Sequence, residues 1–348
     1  MTLPLAVLDL SPVPAGSTGP DALANTLDLA AWCERLGYER YWLAEHHSTP
    51  GLASSAPEVM IGQVAAATSR IRVGAGGIML PNHAPLRVAE TFRVLEALFP
   101  GRIDLGIGRA PGADPMTAFA LRRSTSGGLG GEGFGSQLAE LLAYGGAGFP
   151  DDHPFRSVRA LPDEVPLPPM WILGSSEESA EIAAAIGVGY VFARFLGPRR
   201  AAPAMARYRD AFRPSAALDA PRAILAASVV CAEEAERAEE LVASMGLGVV
   251  RMRQGRPGPI PTPEEALAHD YTPAEEHQLG RYRRAQVVGQ PDAVRAELEE
   301  LCDATRADEL MVMTSVHDHG ERRRSYELLA GVFGLERSPE ARAGAGST

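Results

Sequence analysis

The chain contains no lysine: all 33 of its basic side chains, across 348 residues, are arginine. That absence excludes Schiff-base catalysis, lysine-bound pyridoxal phosphate, a P-loop GK[ST] motif and a lysine general base. Arginine in place of lysine, with abundant Ala, Gly and Pro, reflects GC-rich coding rather than chemistry. Cysteine is scarce. Cys33, Cys231 and Cys302 form neither a disulfide framework nor a CxxC pair, which points to a reducing cytoplasm. No segment approaches the roughly 20 apolar residues of a membrane span, and MTLPLAVLDLSP lacks the basic n-region and long h-region of a secretory signal. Positive charge is also in deficit. At a net charge of −11, nucleic acid and anionic membrane surfaces are repelled, so neither is an expected partner.

What is present is an alternation. Apolar runs at 4–10, 41–44, 71–74, 103–107, 170–173, 190–192, 224–230 and 309–314 read as strands. Helical stretches separate them, such as Leu23, Leu27, Ala30, Ala31 and Leu36 in 3.6 spacing, a helix opened by Pro57, and one over 86–98. About eight such units predict an α/β fold, a (β/α)8 barrel of typically ~250 residues plus insertions. One domain is expected over 1–336. A glycine-rich, aperiodic loop lies near 124–135, a Pro-, Glu- and His-rich insertion near 255–276 is placed over one end of the barrel, and 337–348 reads as a disordered tail.

Several constellations carry chemistry. The strand at 41–44 ends in Glu45, His46 and His47, and strand C-termini are where barrel enzymes place reacting groups. Histidine exchanges protons near neutral pH. In WILGSSEES a buried strand turns at Gly174 into Ser175 and Ser176 and then a helix, leaving backbone donors for an anion such as a cofactor phosphate. Arg109, Arg122 and Arg123 are candidates to complete a phosphate clamp with Ser176 and Ser179, although at least one of Arg122 and Arg123 is expected to be plain surface. Gly76 and Gly77 sit inside a strand, where glycine signals a bulge or the close approach of another group, such as a flat aromatic cofactor. A GxGxxG at Gly128, Gly130 and Gly133 follows no strand and reads as loop rather than a dinucleotide site. His317 and His319 form an HxH pair without a third ligand, so no metal is expected there. His83, in PNHAP, reads as a loop or structural histidine.

Taken in order, EHH, ASSAPE, SRIRVGAGGIMLPNHAPLRVAE, LFPGRIDLGIGRAPG and WILGSSEESA resemble the luciferase-like flavin monooxygenases, the superfamily of bacterial luciferase. The likeness runs from the N-terminus to about Glu336. It implies a TIM barrel that takes reduced FMN from a separate flavin reductase, with O2 as co-substrate; some branches use the deazaflavin F420 instead. It implies that His46 is the catalytic histidine beside the flavin, with Glu45 or a strand-end neighbour setting its tautomer. Gly76-Gly77 matches a dipeptide often cis beneath the isoalloxazine ring. Arg109 follows a flavin-contacting strand, Arg122 or Arg123 falls near a phosphate-binding arginine, and Ser176 and Ser179 match the phosphate-binding helix start. Residues 124–135 depart from the family pattern where an active-site lid is usually placed.

The expectation is therefore an FMNH2-dependent two-component monooxygenase oxygenating an apolar organic substrate through a C4a-hydroperoxyflavin, with a tailoring role in antibiotic or other secondary-metabolite biosynthesis. The alternatives are an F420-dependent, hydride-transferring oxidoreductase and a non-catalytic flavin-binding protein. The small-residue face of 57–69 suits a homodimer, as the family usually dimerises there.

Overall fold

Each strand-like run becomes a strand whose two faces are both covered, because helices return across the sheet between consecutive strands. The computed structural model describes residues 3–122 and 133–336. Its strands are β1 (Leu5–Asp9), β2 (Arg40–Leu43), β3 (Arg72–Ala75), β4 (Ile78–Met79), β5 (Ile103–Gly108), β6 (Met170–Gly174), β7 (Gly189–Ala193), β8 (Ala223–Cys231), β9 (Gln286–Gly289) and β10 (Glu309–Met313). The order is β10-β1-β2-β3-β5-β6-β7-β8, all parallel, and β10 pairs with β8 from Glu309↔Ile224 to Met313↔Ser228. That last pairing closes an eight-stranded barrel, as expected from the sequence. Two short strands were not anticipated. The two-residue β4 continues the line of β3 against β5, and β9 pairs only with the far half of β8, Ser228 to Cys231.

Alternation along the strands sorts the core into two layers. Val7, Tyr41, Val73 and Leu105 join the cluster shared with the helices. Ala6, Leu8, Trp42, Trp171, Val191, Ile224 and Met311 form a separate cluster inside the barrel. Trp42 and Trp171 meet edge-on there, with centroids 5.7 Å apart, an arrangement favoured by the ring quadrupoles. Below them the N-terminal end of the barrel is closed by charge. Arg40 bonds Asp104 at 2.8 Å and Glu309 at 2.7 Å, Arg72 bonds Asp104 at 2.6 Å, and Trp42 Nε1 donates to Asp104 at 3.1 Å. A filled floor leaves the C-terminal rim as the place for a ligand.

Proline opens the helices Pro57–Ala67, Pro85–Leu98, Pro263–Ala268, Pro273–Arg283 and Pro291–Thr305, where its missing N–H costs nothing and its fixed φ suits the first turn. The segment 255–276 leads from the long helix Ala235–Arg253 into two shorter helices packed on it. It reaches the rim: Ile260 N donates to Val13 O at 2.9 Å and Ala15 N to Ile260 O at 2.8 Å, just after β1. The helix Phe134–Leu142 begins inside the stretch read as loop, with Gly133 at φ 90° as its N-cap. Residues 124–132, with Gly128 and Gly130, and the tail 337–348 lie outside the described residues. No helix among the described residues is long and apolar enough to cross a membrane.

Candidate active site

The exits of the parallel strands meet at the C-terminal rim. From β2 the chain passes through Ala44 to Glu45, which is fully buried. A carboxylate without water must be hydrogen-bonded, and this one is. It accepts from His47 Nε2 at 2.8 Å, His83 Nε2 at 2.9 Å, the Met79 backbone N–H at 2.8 Å and Asn82 Nδ2 at 3.5 Å. Burial alone would raise the Glu45 carboxyl, but the bond and charge of His83, then the bonds from His47 and Met79, outweigh it and leave it below the usual carboxylate value. Burial works to lower His83, and the Glu45 bond and charge, with Glu58 beyond, raise it overall.

His46 is held differently. Its backbone N–H donates to Ser54 O at 2.8 Å, and the next N–H, of His47, donates to Gly112 O at 2.9 Å. None of the hydrogen bonds of Glu45 goes to the His46 ring, so the expectation that Glu45 sets its tautomer meets a different geometry: Glu45 serves His47 and His83 instead. His46 Nδ1 is buried without a partner, as is the neighbouring Ser54 hydroxyl. Burial lowers the His46 imidazole against the opposing charge of Glu45, which favours the neutral ring. A neutral imidazole with one unclaimed nitrogen can accept or deliver a proton to something seated beside it.

Beside β2, just past the end of β3, the Gly76–Gly77 peptide bond is cis. A methyl on Gly76 would lie 2.5 Å from Leu8 Cδ1, and one on Gly77 would lie 2.9 Å from Gly106 O. The close approach read from these glycines is thus made by the barrel wall itself. The inner wall near the rim is apolar, with Leu10, Leu173, Phe195 and Met313 packed above the Trp42–Trp171 layer.

At the end of β6, Ser176 caps the helix Glu177–Ile186, its hydroxyl accepting from Ser179 N at 3.4 Å. Ser179 Oγ donates to Ser176 O at 2.7 Å and meets Tyr190 OH at 3.1 Å. A methyl on Gly174 would overlap Ser179, so only glycine lets the strand turn this tightly onto the helix. The cap engages the third N–H of the helix and leaves those of Glu177 and Glu178, next to Ser175, directed outward with the positive end of the dipole.

The arginines separate. Arg109 pairs with Glu178 at 2.6 Å and so stands at this helix start. Arg122 Nε donates to Asn82 Oδ1 at 3.0 Å, on the Glu45 side of the rim, and Arg123 lies outside the described residues. The sequence reading missed Arg200. A methyl on Gly197 would lie 3.6 Å from Ser175 O and 3.7 Å from Arg200 Cδ, so Gly197 stands between the turn at Ser175 and the stem of that arginine. Its signal was the Pro-Arg-Arg run just after β7. His317 and His319 diverge, the first to Ala15 O at 3.1 Å and the second to Asp28 at 2.8 Å. Among the described residues no group of three His, Cys, Asp or Glu is placed to hold a metal ion.

The rim therefore offers an unclaimed imidazole nitrogen, a dipole-bearing helix start with two nearby arginines, and an apolar wall between them. Those features fit a flavin with a phosphate tail: the apolar wall suits the ring and the helix start suits the phosphate.

Comparison with known proteins agrees. The family model described as luciferase-like monooxygenase matches residues 3–308. The chain is 41% identical over 331 residues to a luciferase-like monooxygenase of Escherichia coli (strain K12), covering 95% of this chain and 97% of that one. It is 34% identical over 327 residues to the N-acetyl-S-alkylcysteine monooxygenase of Bacillus subtilis (strain 168), covering 94% and 97%. The crystal structure of apo-MsnO8 superposes with a TM-score of 0.86 at 39% identity, covering 97% of this chain and all of that one.

Proposed function

The chain belongs to the luciferase-like monooxygenase family and is a flavin-dependent monooxygenase, and on that premise we propose that it works as the oxygenase half of a two-component system. In this reading FMN arrives already reduced, from a separate flavin reductase, and O2 is the co-substrate. The observation that carries it is His46 Nδ1, buried and unclaimed on the same rim as the Ser175–Ser179 helix start. Bound there, reduced flavin supplies the activation of O2, which is the cofactor's chemistry.

The protein's own residues bind, orient and shield. Ser175, Ser176, Ser179 and the Glu177 and Glu178 N–H groups hold the phosphate, with Arg109 and Arg200 as the neighbouring cations. Gly76 and Gly77 let the wall of the site pack tightly, Gly76 onto Leu8 and Gly77 onto Gly106. Leu10, Leu173, Phe195 and Met313 exclude water and accept an apolar organic substrate. His46, neutral and partly screened from water, gives or takes the proton at the reacting centre.

The barrel's three cysteines are buried and unpaired, which supports a cytoplasmic setting. Val59, Val94 and Leu98, on the packed helices Pro57–Ala67 and Pro85–Leu98, are 61%, 46% and 65% exposed. Exposed apolar side chains on these two packed helices support a homodimer. A place in secondary-metabolite biosynthesis accords with the apolar wall.

The test supplies FMN, a flavin reductase, NADH and labelled O2 with a panel of apolar compounds, thioethers included. Oxygen label in product supports the reading, and no labelled product from a broad panel overturns it.

A further inference from the structure

Glu45 is the most heavily engaged side chain at the rim, yet it does not touch the histidine next to it. Its bonds reach two strand exits, and two of its partners reach a third. His47 belongs to the β2 exit, and Met79, Asn82 and His83 belong to the segment after the cis Gly76–Gly77 bond. The third exit, after β5, is drawn in by His47 N–H on Gly112 O and by Asn82 Nδ2 on Pro111 O at 2.8 Å. Gly112, at φ 61°, lies so close that a methyl there would sit 2.7 Å from Glu45 O. His46 is the one member of the EHH run left out of this bracket, with its ring nitrogen unpartnered.

We propose that Glu45 is a positioning residue: the buried anion of a His47–Glu45–His83 bracket that ties the rim loops together around His46 and leaves that imidazole without a direct carboxylate partner. The inference rests on the reading of His46 as the proton-transfer group. A carboxylate bonded directly to His46 would claim its proton and favour the imidazolium. Turning the carboxylate toward His47 and His83 leaves the His46 ring without a bond to it. The groups facing His83 are Glu45 and Asn82 from the rim and Glu58 from the helix Pro57–Ala67, with Gln137 Nε2 on its carbonyl oxygen at 3.2 Å. Those facing His46 are Glu45 and His47. Glu45 biases His83 toward its charged form, whereas burial, outweighing the charge of Glu45, biases His46 toward its neutral form.

The test is a titration of the ring carbons by NMR on the flavin-free protein, with signals assigned through His46→Asn and His83→Asn. The bracket predicts that His83 titrates above and His46 below an ordinary imidazole. Glu45→Gln keeps the shape and removes the charge, so both titrations move down, while His46→Asn leaves that of His83 in place. His46 titrating above the ordinary value, or His83 unmoved by Glu45→Gln, overturns the proposal. Should Glu45→Gln fail to fold, the wild-type order of the two titrations decides by itself. Because no flavin is present, the predicted titrations with no flavin binding would overturn the functional reading alone, and flavin binding with the wrong titrations would overturn the bracket alone.

Discussion

Arg109 Nη1 lies 2.6 Å from Glu178 Oε1, so a carboxylate in the first turn of the helix after β6 already occupies the nearest guanidinium. Both side chains are well exposed, at 40% and 62%, so the pair contributes little to stability. Its consequence is for binding: an arriving phosphate competes with Glu178 for Arg109. Glu178→Gln is expected to tighten FMN binding severalfold, and Arg109→Ala to weaken it. Riboflavin, which lacks the phosphate, should respond to neither. Fluorescence quenching of both ligands checks this.

Gly174→Ala is expected to be damaging out of proportion to its size. The added methyl would overlap Ser179, and forcing atoms into a packed site costs typically about 1–3 kcal/mol. Thermal melting should show the loss, with a parallel loss of FMN affinity because the same hydroxyl helps shape the helix start.

Asp9 and Arg322 form a buried pair, 2.5 Å apart and at most 2% exposed. Tyr41 OH and Ser11 N–H complete the carboxylate's shell. Removing one partner leaves the other charge buried, so Arg322→Ala should cost about 3–5 kcal/mol in urea unfolding. The pair ties β1 to the helix His319–Phe333 behind the rim, away from the mouth.

The Glu45 bracket has a pH signature in stability. His83 is raised in the folded protein, so its contribution is complete below the ordinary imidazole value and disappears as pH rises through its raised value. Glu45 is lowered, so its contribution is present above the ordinary carboxylate value of 4.5 and disappears as pH falls through its lowered value. The stability gap between wild type and His83→Asn, followed by urea midpoints, should be widest in mildly acidic buffer and close on the alkaline side. A gap that widens with rising pH contradicts the assignment.

The homodimer proposal places the twofold contact on Val59, Val94 and Leu98. Leu98→Arg puts a charge into that face and should yield a monomer by sedimentation, with the barrel's melting temperature little changed because Leu98 is 65% exposed in the single chain.

The barrel was legible because its signal is repetitive: eight apolar runs with helices between them leave little choice of topology. The strands that escaped are short or displaced. β4 is two residues beyond a cis bond, and β9 follows a helical excursion and pairs with only half of β8. Positions just past a strand end were readable as rim positions, as with His46 after β2 and Ser176 after β6. Partnerships across loops were not. Nothing local in PNHAP shows that His83 reaches back 38 residues to Glu45, or that Arg200 arrives across Gly197 from Ser175. Those contacts depend on how the barrel exits converge, which periodicity does not encode.

The central claim is that reduced FMN sits at the rim with its phosphate on the Ser175–Ser179 helix start and its ring beside His46. Anaerobic equilibrium binding of reduced FMN, riboflavin and reduced F420 to the wild-type protein tests it most directly. The account predicts tightest binding by reduced FMN, with riboflavin weaker by at least about tenfold, the ~1.4 kcal/mol expected of a single charge-assisted phosphate contact. Equal affinity for FMN and riboflavin, or tighter binding of F420, would contradict it.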